Sequence, residues 1–86
     1  GQEETGTQQF WLGRSHFLPN AGAEMDATPS EKLYFVLEGE VTVSTPDQQT
    51  HVLKAWDSLY VGPNEARAIV NNTNMPASML VIITYK

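Results

Sequence analysis

The feature that most limits what this chain can become is its punctuation. Short runs rich in β-branched and aromatic residues alternate apolar and polar side chains, and Gly, Pro or Asn stops each one after roughly ten residues. TQQFWLGRSHFL ends at Pro19-Asn20-Ala21-Gly22, and LYFVL and EVTVST flank Gly39 in the manner of a hairpin. Pro46-Asp47 opens a turn before THVLK, DSLYV is stopped by Gly62-Pro63-Asn64, and ARAIV runs to the Asn71–Asn74 turn. No stretch combines a 3.6-residue apolar period with helix caps. Many short strands with tight turns predict an all-β sandwich or barrel, and closing the sheet on itself hides edges that such a chain would otherwise expose. The final run, MLVIITY, is more continuously apolar than the others. It predicts a strand buried on both faces, by the core on one side and a neighbouring subunit on the other. The alternative is a chain whose missing part covers that face.

A chain of 86 residues has room for one core. The polar opening GQEETG is expected to be a flexible leader at 1–6, with the barrel domain spanning 7–86. A net charge of −5, with five scattered Lys and Arg, opposes binding to nucleic acid or to an anionic membrane. The absence of cysteine excludes disulfides and thiolate metal sites. No apolar run reaches the ~20 residues of a membrane span, and no basic-then-apolar signal opens the chain, so a cytoplasmic protein is expected.

Two segments carry a more specific pattern. The first is Pro19-Asn20-Ala21-Gly22 followed by 26-DATPSEKLYFVLEGEVTV-43, and the second is 56-WDSLYVGPNEARAIVN-71. Together they resemble the cupins, small jelly-roll barrels, over about residues 10–85. The resemblance implies a cupin double-stranded β-helix, a jelly-roll barrel in a single domain. It also implies four metal-ligand positions, two histidines separated by one residue, then Glu, Gln or His, then a last histidine. Those positions fall on Asp26, Thr28, Lys32 and Arg67. None of the three histidine positions holds a histidine. Ammonium and guanidinium groups have no lone pair to give a divalent ion, so the usual metal site is expected to be absent, with no cofactor in its place.

Side chains alternate across a strand. With position 32 pointing inward, Tyr34 and Val36 do too, while Leu33, Phe35 and Leu37 face outward. Arg67 likewise shares a face with Ile69 and Asn71. The ligand-binding residues are then Asp26, Thr28, Lys32, Arg67 and Asn71. Two cations in a partly apolar cavity call for compensation, and Arg and Lys suit a carboxylate. The leading expectation is a metal-independent barrel that binds a small anionic, carboxylate-bearing molecule. As an enzyme of the isomerase or lyase type, it would use Lys32, Tyr34 and His16 as its catalytic groups. The alternatives are a non-catalytic binding or regulatory module, a metal-dependent enzyme with atypical ligands, and a barrel kept for assembly alone. The bland reading of the cations is that Lys32 snorkels to solvent and Arg67 pairs with Glu65 or Glu31 on the rim. Phe10, Trp11 and Phe17 exceed what one small core accommodates. With the outward row Leu33, Phe35 and Leu37 they point to a homodimer. Trp56 replaces the Gly that usually precedes the family's Asp. It is read as packing the turn or lidding the mouth.

Overall fold

The computed structural model describes residues 2–6 and 9–84, with side chains from 9 onward. These residues form nine strands. In chain order they are β1 (Gln2–Gly6), β2 (Phe10–Phe17), β3 (Gly22–Asp26), β4 (Lys32–Glu38), β5 (Glu40–Ser44), β6 (Thr50–Lys54), β7 (Ser58–Val61), β8 (Arg67–Val70) and β9 (Ala77–Thr84). Among the described residues no helix is long and apolar enough to cross a membrane.

Two antiparallel sheets face each other, one ordered β1-β2-β9-β4-β7 and the other β3-β8-β5-β6. At one end the chain crosses between sheets in the turns β2–β3, β4–β5, β6–β7 and β8–β9. This stacks β2 over β3, β4 over β5, β7 over β6 and β9 over β8. The opposite end is formed by the β3–β4, β5–β6 and β7–β8 loops and is the mouth of the barrel. The expected all-β jelly roll is the observed architecture.

The period of two decides what fills it. Val36 and Met79, paired across β4 and β9, have no exposed surface, nor do Val41 and Val43 of β5. Tyr34, Val61, Leu53 and Ile69 join the same cluster, and Phe17, Leu59 and Val81 pack against it. Each such aliphatic side chain contributes about 1.5–3 kcal/mol on burial. β9 is central in its sheet, with β2 on one side and β4 on the other. Its first three residues are buried and its outward Leu80 and Ile82 are half-buried.

The structure corrects two expectations and adds one strand. LYFVL and EVTV are not a hairpin. β4 pairs with β7 and β9, whereas β5 pairs with β6 and β8 in the other sheet. A register shift between Val36 and Glu38 loosens the β4 ladder, and Gly39 at φ +78° then turns the chain across the barrel. A Cβ on Gly39 would lie 2.6 Å from the Pro76 carbonyl oxygen, so the corner needs glycine. Within the expected 1–6 leader, Gln2–Gly6 is instead β1, paired antiparallel along β2. That pairing gives β2 a hydrogen-bonding neighbour on what would otherwise be a sheet edge. Gly1, and Thr7 and Gln8 of the first long run, lie outside the described residues. The added strand is β3. Every residue of GAEMD is exposed, so no alternation marked it as a strand.

Outside the five-stranded sheet, Leu33 and Tyr60 are exposed beside half-buried Phe35 and Ile82. A shallow hollow of about 270 Å³ lies there, lined by Glu31, Lys32, Leu33, Tyr60, Ile82 and Thr84. The Tyr60 hydroxyl donates to Glu31 Oε2 at 2.6 Å across its rim.

Candidate functional site at the barrel mouth

The β3–β8 ladder sets Asp26 opposite Arg67, after a register shift between Ala23 and Asp26. Ile69, two residues beyond Arg67, is in the core, so Arg67 projects into the lumen and its side chain keeps 15 % of its surface exposed. Tyr34 enters from the opposite sheet at 6 % exposure. Burial holds its phenol above the ordinary tyrosine value. The Arg67 charge opposes that shift and Asp26 adds to it. Tyr34, Arg67 and Asp26 therefore share one electrostatic neighbourhood, as the parity of β4 and β8 required.

Arg67 is held by its own loop. Its Nη1 donates to the Ala66 carbonyl at 2.8 Å, and its Nη2 lies 3.6 Å from Glu65 Oε1. Glu65 Oε1 in turn accepts from the Gly62 backbone N–H at 2.5 Å, which fixes the carboxylate. Of the two rim acids expected as partners, Glu65 faces Arg67 and Glu31 serves Tyr60. The Arg67 guanidinium therefore has a carboxylate partner in Glu65.

What stays unfilled is hydrogen-bonding capacity. Arg67 Nε and Thr28 Oγ1 are both buried without a hydrogen-bond partner. Thr28 is tied to the same rim, because its carbonyl accepts from Asn64 N–H at 2.7 Å across the β3–β4 and β7–β8 loops. A buried polar atom left unpaired costs about 1–3 kcal/mol, which a ligand bonded to it recovers.

Lys32 is half-buried at the start of β4, in line with Val61 and Ile83, and it also borders the outer hollow. Two expected site residues stand elsewhere. His16 is exposed on the outer face of β2, because Phe17 beside it turns into the core. It also lies near the end of β2 remote from the mouth, so it cannot carry protons there. Asn71 has no exposed surface, and the fold uses its whole amide. Its Nδ2 donates to the carbonyls of Phe17 at 3.0 Å and Met75 at 2.8 Å, and its Oδ1 accepts from Thr73 N–H and Oγ1 at 3.0 and 2.7 Å. Nothing remains for a ligand. Trp56 sits at the closed end and makes an edge-to-face contact with Phe35, centroids 5.7 Å apart. It packs the turn and does not lid the mouth.

One lumen residue escaped notice as a site residue. The β2–β9–β4 register places Trp11 in line with Ile83 and Lys32, on the inner face with Gly13 and Tyr34. The signal was present as Trp-x-Gly, an aromatic two residues before a residue with no side chain.

The four positions that would hold a metal in the family give a poor donor set here. Asp26 offers a carboxylate and Thr28 a hydroxyl, while Lys32 and Arg67 offer cations. Among the described residues no group of three or more His, Cys, Asp and Glu stands close enough to hold an ion. These residues do not fit a divalent metal.

Comparison with known proteins matches the model of the cupin domain family to residues 13–83. The chain is a cupin. It is 36% identical over 85 residues to a protein of Mycobacterium tuberculosis named as a β-D-galactosidase, covering 99% of this chain and 72% of that one. Among solved structures it is similar to a cupin superfamily protein from Desulfitobacterium hafniense, with a TM-score of 0.89 at 20% identity, over 100% of this cupin and 77% of that chain. A polyketide cyclase from Streptomyces resistomycificus has a TM-score of 0.84 at 22% identity, over 94% of this cupin and 58% of that chain. At those identities the structural likeness speaks for the fold alone.

Proposed function

We propose that this cupin binds a neutral, hydroxyl-rich small molecule, a sugar or glycoside, at the mouth formed by Asp26, Thr28, Tyr34 and Arg67, without a metal ion. The observation that carries this reading is a mouth whose guanidinium already faces the Glu65 carboxylate yet is short of partners at Arg67 Nε and Thr28 Oγ1. A ligand that supplies hydroxyl oxygens satisfies both atoms and adds no net charge. The name of the mycobacterial relative supports the same class. Glycoside hydrolysis needs two carboxyl groups about the scissile bond, and Asp26 and Glu65 both stand beside Arg67. Tyr34, protonated across the neutral range, acts as a hydrogen-bond donor to the bound sugar.

Titration calorimetry with methyl β-D-galactoside, paired with hydrolysis of nitrophenyl β-D-galactoside, tests this. Binding that disappears in Arg67→Met supports the pocket, and turnover lost in both Asp26→Asn and Glu65→Gln makes it a hydrolase. Binding without turnover makes it a non-catalytic sugar module. Failure of any galactoside to bind refutes the proposal.

A second reading is a small organic acid, favoured by Lys32 and Arg67 standing where the family places metal ligands. Saturable binding of succinate that Lys32→Met abolishes, with no response to galactosides, would select it.

A further inference from the structure

We infer that Trp11 is a stacking platform for the ring of the bound molecule, so that the ligand class is a pyranose with one apolar face of C–H groups. This rests on the sugar reading above. Trp11 points into the lumen, and its indole lies flat along β2 over Gly13. A Cβ built on Gly13 would fall 2.1 Å from Trp11 Cη2 and 2.7 Å from both Cζ2 and Cζ3. The six-membered half of the indole thus occupies the space that any other residue at position 13 would fill. The ring is half-buried, so one part packs on the sheet and another stays accessible.

Its position completes a site. Gly13 is in register with Val81 and Val81 with Tyr34, so the indole and the Tyr34 phenol stand at one level on either side of β9. Two strand spacings separate them, about 9–10 Å. β2 lies over β3, whose last residue is Asp26, and β9 lies over β8, whose first residue is Arg67. The flat apolar surface therefore faces the polar rim that lacks partners. A pyranose uses both, since its C–H face covers the indole while its hydroxyls reach Arg67 Nε, Thr28 Oγ1 and Asp26. An acyclic acid uses the polar groups alone. Gly13 is then a positioning residue, the one that lets the indole lie flat.

The experiment uses a Trp56→Phe background, in which Trp11 is the single tryptophan. Titration with methyl β-D-galactoside should quench and blue-shift its emission. Trp11→Ala should weaken binding, followed by calorimetry, roughly tenfold or more, Trp11→Phe should retain most of the affinity, and Gly13→Ala should weaken binding by displacing the ring. A thermal melt checks that each variant folds, and Trp11→Phe keeps the test valid if Trp11→Ala does not. Galactoside affinity unchanged in Trp11→Ala, or binding with no change in Trp11 emission, overturns the platform while the sugar reading stands. No galactoside binding to the unmodified chain overturns both. Succinate bound as tightly as the galactoside, indifferent to Trp11, also overturns the platform and selects the organic-acid pocket.

Discussion

The two ends of β8 carry inward polar side chains with opposite fates. Asn71, just past its closed end, has no exposed surface and four hydrogen bonds, one for each donor and acceptor it owns. Arg67, at its mouth end, has one bond to its neighbour's carbonyl, one loose ion pair and a buried Nε with no partner. They stand four positions apart in the chain, Arg67 at the start of β8 and Asn71 one residue past its end. Amide and guanidinium are equally able to organise a structure, and the difference is what surrounds them. At the closed end the Asn71–Met75 turn and the carbonyl of Phe17 converge on the amide. At the mouth the β7–β8 loop meets only the Nη atoms of the guanidinium and leaves its Nε without a partner. A polar group the fold satisfies is structural, and one it leaves short of partners is available to a ligand.

The largest effect expected from that contrast is on Asn71. Asn71→Ala removes a donor to the Phe17 carbonyl, the acceptor of the Thr73 N–H and one of two donors to the Met75 carbonyl. It should cost about 3 kcal/mol or more, a fall in Tm of roughly 12 °C or more for a domain of this size. A fall of one or two degrees would show that the amide is not the anchor of the closed end. Arg67→Met should do the reverse. It should weaken methyl β-D-galactoside binding roughly tenfold or more while Tm changes by no more than a few degrees, because it removes an unpaired buried donor. Thr28→Val should behave alike in the melt. A large loss of stability in either would mean that the mouth is as structural as the closed end.

Smaller effects sharpen the picture. Tyr34 has a folded-state value above that of the unfolded chain, so folding favours its neutral form. The stability it confers is fully present below the unfolded value and is lost as pH rises through the folded one. Stability above about pH 10 should therefore fall less steeply with pH in Tyr34→Phe than in the parent. The smallest change expected is in Trp56→Gly. Trp56 has φ +77° and is 77 % exposed. Glycine relieves a left-handed backbone worth about 1–2 kcal/mol and forfeits an edge-to-face contact of about 0.5–1.5 kcal/mol. The two nearly cancel, and a Tm shift beyond several degrees in either direction would show that one of them dominates.

Part of the site was legible before any coordinates. Period-two alternation fixes which side chains share a face, so Lys32, Tyr34 and Val36 read as one set and Arg67 and Ile69 as another, and the structure keeps both. The same parity misled at His16. Alternation says that two residues lie on one face without saying which face looks inward, and Phe17 took the inward one. Gly39 was legible as a turn but not as a crossing between sheets. A pleated strand offers ladder bonds on both edges, and its sequence does not say which strand accepts them.

By itself the sequence determined an all-β chain of short strands and tight turns, and it was the resemblance to the cupins that assigned Asp26, Thr28, Lys32 and Arg67 to the family's metal-ligand positions. Residue type and spacing act locally, and local rules are enough for strands, turns and donor chemistry. Tertiary structure alone decided that Asn71 is saturated, that Arg67 Nε and Thr28 Oγ1 are not, and that Trp11 lies over Gly13. The partners involved come from far along the chain, as Phe17 meets Asn71 and Asn64 meets Thr28. Hydrogen bonds and ring contacts need atoms within a few ångströms, and only the closed barrel brings those atoms together.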